Sequence, residues 1–155
     1  MKNDEELEGN VLSFLLGEDS FAVPVESVQE ILRNCIWSEI PGAAPHVLGL
    51  HNLRGKLIAV LSPHVLLSIA PRDSEQRASP AIILNWDPNK AIQAALLVDQ
   101  LGDILEAKNG SLHELPANVP SERRVFLSGV IDCGTSSHTL INVYTMANPQ
   151  LGSER

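Results

Sequence analysis

The sequence predicts a mainly β domain, a small all-β barrel or sandwich punctuated by two or three short helices, and three observations carry this expectation. Roughly nine or ten short apolar runs recur along the chain, each closed off by Gly, Pro, Asn, Asp or Ser, which is the rhythm of strands joined by turns. Hydrophobic residues make up 44% of the sequence and aromatics only 4%, so the core is aliphatic and stacking on exposed rings is not the main mode of recognition. The 155 residues suit one domain, or two small barrels sharing one fold, with a sizeable core.

Taken in order, residues 1–10 are a polar, acidic tail (Asp4, Glu5, Glu6, Glu8) read as disordered, and structure begins at Val11. The β-rich run 11–16, the turn Gly17-Glu18-Asp19-Ser20 and the run 21–23 read as a hairpin. Pro24 suits the first turn of a short helix, where its missing N–H costs nothing, and Val25, Val28, Ile31 and Leu32 recur at helical spacing. After Asn34 the period shifts towards strand over 36–40, and Pro41, Gly42 and Pro45 force an irregular connection. The runs 49–53 and 56–61 flank Arg54-Gly55, where Gly55 supplies the positive φ of a tight hairpin. Ser62-Pro63 reads as a helix start for residues 64–69, with the hydroxyl capping and Pro at the first helical position. Residues 70–80 are a polar connector without apolar periodicity. The apolar runs 81–86 and 91–98 are joined by Asp87-Pro88-Asn89-Lys90, again turn chemistry. A strand is expected at 103–107, Asn109-Gly110 is a turn, and residues 116–120 begin a loop. Residues 126–131 and 139–143 form a closing hairpin, Asn142 caps a brief helix over 143–147, and the tail 148–155 is frayed.

Charge and motifs exclude most chemistries. Acidic residues outnumber basic ones 19 to 11, for a net charge of −8, the wrong sign for neutralising phosphates, so no nucleic-acid partner is expected. No run approaches the roughly 18 apolar residues of a membrane helix, and the acidic N-terminus lacks the apolar region of a secretory signal. A cytoplasmic protein is expected, with Cys35 and Cys133 reduced and filling small gaps. Phosphate-loop, dinucleotide, nucleophile-elbow and zinc-protease motifs are absent. The five histidines, His46, His51, His64, His113 and His138, show no metal-ligand spacing, so no metal and no cofactor are expected. Asp132-Cys133-Gly134-Thr135 is close to the D-[ST]-G-[ST] of aspartic proteases, but Cys133 stands where the buttressing hydroxyl belongs, and Asp-x-Gly between two strands is an ordinary turn. An Asp132-dependent hydrolase is kept only as a remote alternative, and no catalytic residue is assigned.

Three blocks, V-Q-E-I at residues 28–31, P-x-V-x-G-L-x-N-L-R-G at residues 45–55 and the V-D-x-L that starts at Val98, together resemble the CheW family, the coupling proteins of bacterial chemosensory arrays. The resemblance spans about residues 11–147 with the order and spacing of the blocks kept. The G-[VL]-x-N-L-R-G block is specific; the others alone are weak.

This resemblance implies two intertwined five-stranded SH3-like β-barrels with a few short helices. It also implies a non-enzymatic adapter in chemotaxis signal transduction, bridging the cytoplasmic tip of a methyl-accepting chemoreceptor and the regulatory domain of a CheA-type histidine kinase. Such a protein is cytoplasmic, recruited to membrane-associated receptor arrays without inserting into the membrane, and capable of array or ring assembly. By position, Val28, Leu101 and Ile104 fall in the receptor groove, an apolar surface that takes one face of an amphipathic helix. Spacing alone favours plain core packing for each of the three, and only the resemblance brings the groove reading level with it. Glu30 and Arg54 match a paired acid and arginine, expected to form an ion pair that fixes the short helix against the Arg54-Gly55 turn. Asn52 and Gly55 are turn residues, and Asp99 a turn or cap. Two departures stand out: Ala59 and Ser62 replace the P-x-x-D expected after the hairpin, and the terminal helix is short and polar. They leave open a CheW-like scaffold serving a non-chemotactic pathway, such as pili, biofilm or polar localisation.

Overall fold

The computed structural model describes residues 9–70, 79–87, 92–108 and 111–148. The acidic residues 1–8, most of the 70–80 connector, the turn at Pro88-Asn89-Lys90, the Asn109-Gly110 turn and the tail from 149 onward lie outside the described residues. Among the described residues, eleven strands and three short helices occur in chain order: β1 (Gly9–Leu16), β2 (Asp19–Pro24), β3 (Val28–Cys35), β4 (Val47–Leu53), β5 (Lys56–Leu61), α1 (Pro63–Leu67), β6 (Ser79–Asp87), β7 (Ile92–Leu97), β8 (Gln100–Ala107), β9 (Leu112–His113), α2 (Ser121–Arg124), β10 (Leu127–Asp132), β11 (Ser137–Ile141) and α3 (Val143–Ala147).

The mainly β, two-part architecture is observed. One sheet is six-stranded, in the order β8-β1-β2-β11-β10-β9, and the other five-stranded, in the order β3-β6-β7-β5-β4. The chain therefore leaves the first sheet after β2, builds the whole of the second, and returns at β8. The sixth strand, β9, is only two residues long, and strand pairing closes neither sheet into a full barrel.

Three aliphatic clusters explain this arrangement. Val11, Ala22, Ile131 and Leu140 pack within the six-stranded sheet, and Leu53, Ile58, Val60 and Ile83 within the five-stranded one. The largest cluster lies where the sheets face each other and takes Leu12, Phe14 and Val23 from the first and Ile82, Leu84 and Leu96 from the second. Strand β6 is buried on both faces, Ile82 and Leu84 to the shared core and Ala81 and Ile83 to the inner one. That is why it reads as an unbroken apolar run rather than an alternating one. Each fully buried aliphatic side chain contributes about 1.5–3 kcal/mol.

Several local expectations match. Arg54 and Gly55 both adopt positive φ, 51° and 91°, the two-residue turn whose twist suits a hairpin, and Asn52 Oδ1 accepts from Gly55 N–H at 2.6 Å. Ser62 caps α1 by accepting from Val65 N–H, with Pro63 at the first position, and Asn142 caps α3 by accepting from Thr145 N–H at 3.2 Å. Cys35 is buried, and burial pushes its thiol up to about 11, consistent with an inert core residue.

Others need correction. Residues 24–32 are not a helix: a single 3₁₀ turn at Val25–Ser27 leads directly into β3. The helical spacing arises from a bulge. β3 pairs Val28 with Leu84 and Glu30 with Ile83, so Gln29 is an extra residue. Past it, Val28 and Ile31 share a face although they stand three apart. The strand expected over 36–40 is reduced to an isolated bridge between Ser38 and Leu50, since Pro41 and Gly42 turn the chain away. Strand β1 starts at Gly9, paired with Ala107, so the two residues before Val11 belong to the sheet. The strand expected over 103–107 starts earlier, at Gln100. Residues 121–124 form a short helix that no periodicity marked.

Candidate functional site

Strands β8 and β3 are edge strands of the two sheets, and they approach the shared core through each other's neighbours rather than by pairing. Strand β8 touches β6, the neighbour of β3, and the 3₁₀ turn leading into β3 touches β1, the neighbour of β8. Four aliphatic side chains line this junction. Leu101 pairs across the ladder with Phe14 and Ile104 with Leu12, and both partners belong to the shared core. Cross-strand partners project to the same side of a sheet, so Leu101 and Ile104 face the junction. By the same reasoning Val28, opposite Leu84, and Ile31, opposite Ile82, face it from the other strand.

A second bulge makes this possible on β8. Only Ser13 separates Leu12 from Phe14, whereas Gly102 and Asp103 separate Ile104 from Leu101. Ser13 fills the irregularity: its hydroxyl accepts from Asp103 N–H at 2.9 Å and donates to Asp103 C=O at 3.2 Å. Gly102 must be glycine for this approach, because a Cβ there would stand 2.2 Å from Ser13 Oγ.

Val28 and Leu101 are partly buried against the core, whereas Ile104 is 61% and Ile31 40% exposed. The junction is therefore an open apolar strip, not one sealed by its own side chains. Ile31 was missed as a wall residue because its spacing from Val28 looked helical. The repeated pattern of two aliphatics three apart, at 28 and 31 and again at 101 and 104, was the available signal.

Glu30 and Arg54 lie next to this strip. Arg54 Nη2 stands 2.6 Å from Glu30 Oε1 and Nη1 3.2 Å from Oε2, a two-pronged grip. The pair joins β3 to the β4–β5 turn, not a helix to that turn, because residue 30 is in a strand. Since β3 and β4 are the open edges of the five-stranded sheet, the pair crosses its seam. The Ser38–Leu50 bridge and the 2.8 Å contact of His51 Nδ1 with Ile36 C=O lie along the same seam. The Arg54 guanidinium holds the Glu30 carboxyl below its ordinary range. Arg54 remains well exposed, at 68%, so solvent screens the pair.

Among the described residues no cluster of histidine, cysteine and carboxylate groups could hold a metal. His64 and His138 are buried; the first contacts Asp99 and the second contacts Ser20 and Ser136 through its two ring nitrogens. Asp132 closes its own turn, accepting from Gly134 N–H at 2.9 Å. No helix of the described residues is long and apolar enough to cross a membrane.

Two sheets sharing one aliphatic core, with exposed aliphatic side chains on the edge strands β3 and β8, are the architecture of a CheW-like domain. The CheW-like domain matches residues 10–148, and the chain belongs to that family, the coupling and scaffold proteins of chemotaxis. The chemotaxis protein CheW of Treponema pallidum (strain Nichols) is 22% identical over 147 residues, 93% of this chain and 84% of that protein. The chemotaxis protein CheW of Bacillus subtilis (strain 168) is 22% identical over 144 residues, 93% and 87% of the two chains. Among solved structures, the scaffolding protein TtCheW from Thermoanaerobacter tengcongensis shares the fold with a TM-score of 0.77. It is 22% identical, over 90% of this chain and 92% of that one.

Proposed function

We propose that this chain is a non-enzymatic cytoplasmic adapter that couples chemoreceptors to a CheA-type histidine kinase. The observation that carries the reading is the open strip of Val28, Ile31, Leu101 and Ile104. An amphipathic helix laid along it loses water from its apolar face and needs no reacting group. The helical hairpin at a receptor's cytoplasmic tip offers such a face. The regulatory domain of the kinase, itself CheW-like, docks on the ends of the sheets, and recruitment to receptor arrays results from the two contacts together. Glu30 and Arg54 hold the strip's β3 wall in place from the seam behind it.

Co-sedimentation with a receptor cytoplasmic fragment, with and without kinase, tests this. Wild type pellets with the fragment and carries kinase with it, whereas Leu101→Asp stays in the supernatant. Wild type that fails to pellet with the fragment contradicts the reading. Ser62 and Ala59 favour a second reading, a scaffold for a non-chemotactic chemosensory pathway. Ser62 retains the helix cap but removes the negative charge an aspartate would place there. Failure to raise kinase autophosphorylation on receptor-bearing membranes, with receptor binding intact, selects that reading.

A further inference from the structure

Asp99 occupies the crossover at which the chain passes from β7 in the five-stranded sheet to β8 in the six-stranded one, and it is fastened from three directions. Its N–H donates to Leu15 C=O at 3.0 Å, and its Oδ2 accepts from Gly17 N–H at 2.6 Å. The same oxygen lies 2.7 Å from His64 Nε2 on α1, with the two side chains only 8% and 12% exposed. One carboxylate oxygen therefore ties the β1–β2 turn of one sheet, the helix after β5 of the other, and the start of β8.

We propose that His64 is a positioning residue for the docking strip, acting through Asp99 on β8. Among the described residues, strand β8 is an edge strand that pairs only with β1, through a bulged ladder, so an anchor just before its first residue sets the tilt of the whole strand. Leu101 lies two residues beyond Asp99, and Ile104 three further. Without the Nε2 donor a largely buried carboxylate loses a partner, and its relief is to turn towards water. That movement carries the crossover with it and shifts Leu101 and Ile104 relative to Val28. Gln reproduces a donor near the Nε2 position; Leu fills the space without one.

The positioning role rests on the strip being the receptor site, and its test separates the two ideas. Amide exchange is measured in wild type, His64→Leu and His64→Gln, together with the affinities of each for a receptor cytoplasmic fragment and for the kinase regulatory domain. The expected result in His64→Leu is exchange about tenfold faster in β8, with β10 and β11 unchanged. Receptor affinity falls at least fivefold, kinase-domain affinity stays within twofold, and His64→Gln recovers most of the loss. If His64→Leu does not fold, His64→Asn, whose amide stops short of Asp99, replaces it. Unchanged exchange in β8 overturns the proposal. So does faster exchange with wild-type receptor affinity, or an equal fall in both affinities. If wild type binds no receptor fragment, the receptor reading fails, and exchange in β8 still decides whether His64 fixes the strand.

Discussion

Arg54, on the turn after β4, grips Glu30 on β3, the strand at the opposite end of the five-stranded sheet's pairing order. The hairpin turn that carries Arg54 is forced into positive φ, which aims the side chain back over the seam towards β3. An exposed pair of this kind contributes little net stability, and under the proposed function its part is to keep β3 in register with the β4–β5 turn.

Arg54→Ala is therefore expected to move the melting temperature by no more than about 4 °C at neutral pH while weakening receptor and kinase binding. Because the Arg54 hydrogen bond is what lowers the Glu30 carboxyl, its NMR titration midpoint should return towards 4.5 in the variant. A carboxyl lowered in the fold stabilises above its ordinary range, and that contribution is lost as pH falls through the lowered value. A Glu30 midpoint unmoved by Arg54→Ala would show that the grip does not persist in solution.

Gly102→Ala places a methyl group against Ser13 where there is no room for it. Overpacking at this contact should cost about 1–3 kcal/mol, read from urea unfolding. Receptor binding should fall as well, because the bulge is what brings Leu101 and Ile104 onto one face. Wild-type stability in Gly102→Ala would contradict the close approach.

His138 is buried between two serine hydroxyls, and burial lowers its pKa from the ordinary 6.5; His46 is lowered for the same reason. The unfolded chain then binds protons that the folded chain refuses, so stability falls as pH drops below about 6.5. The urea midpoint should decline between about pH 7.5 and 5.5, with a shallower decline in His138→Gln. Identical slopes for the two proteins would show that His138 does not contribute.

Much of the fold was legible because the turns are chemically explicit. Arg54-Gly55, Ser62-Pro63 and Asn142 each name their local geometry, and the double-sided apolar run of β6 marks a strand buried on both faces. The site was less legible because it depends on two bulges, at Gln29 and at Gly102-Asp103. A bulge shifts strand periodicity by one residue, so Val28 and Ile31 imitated a helix. Leu101 and Ile104 fell on opposite faces of any regular strand drawn through them. Whether an extra residue is accommodated depends on the partner strand, β6 in one case and β1 in the other, and that pairing is not local information. The His64–Asp99 contact was hidden for a similar reason: the two residues lie 35 apart and meet only because α1 packs over the β7–β8 crossover.

If the strip between β3 and β8 is a receptor-docking surface, Ile104 tests it most directly, because it is exposed and its replacement leaves the core intact. Leu57, on the β4–β5 hairpin, is equally exposed at 61% and serves as the matched control. The measurement is the affinity of a receptor cytoplasmic fragment for wild type, Ile104→Asp and Leu57→Asp. A loss of at least tenfold in Ile104→Asp with Leu57→Asp close to wild type is the predicted result. Equal affinities for Ile104→Asp and wild type would contradict it.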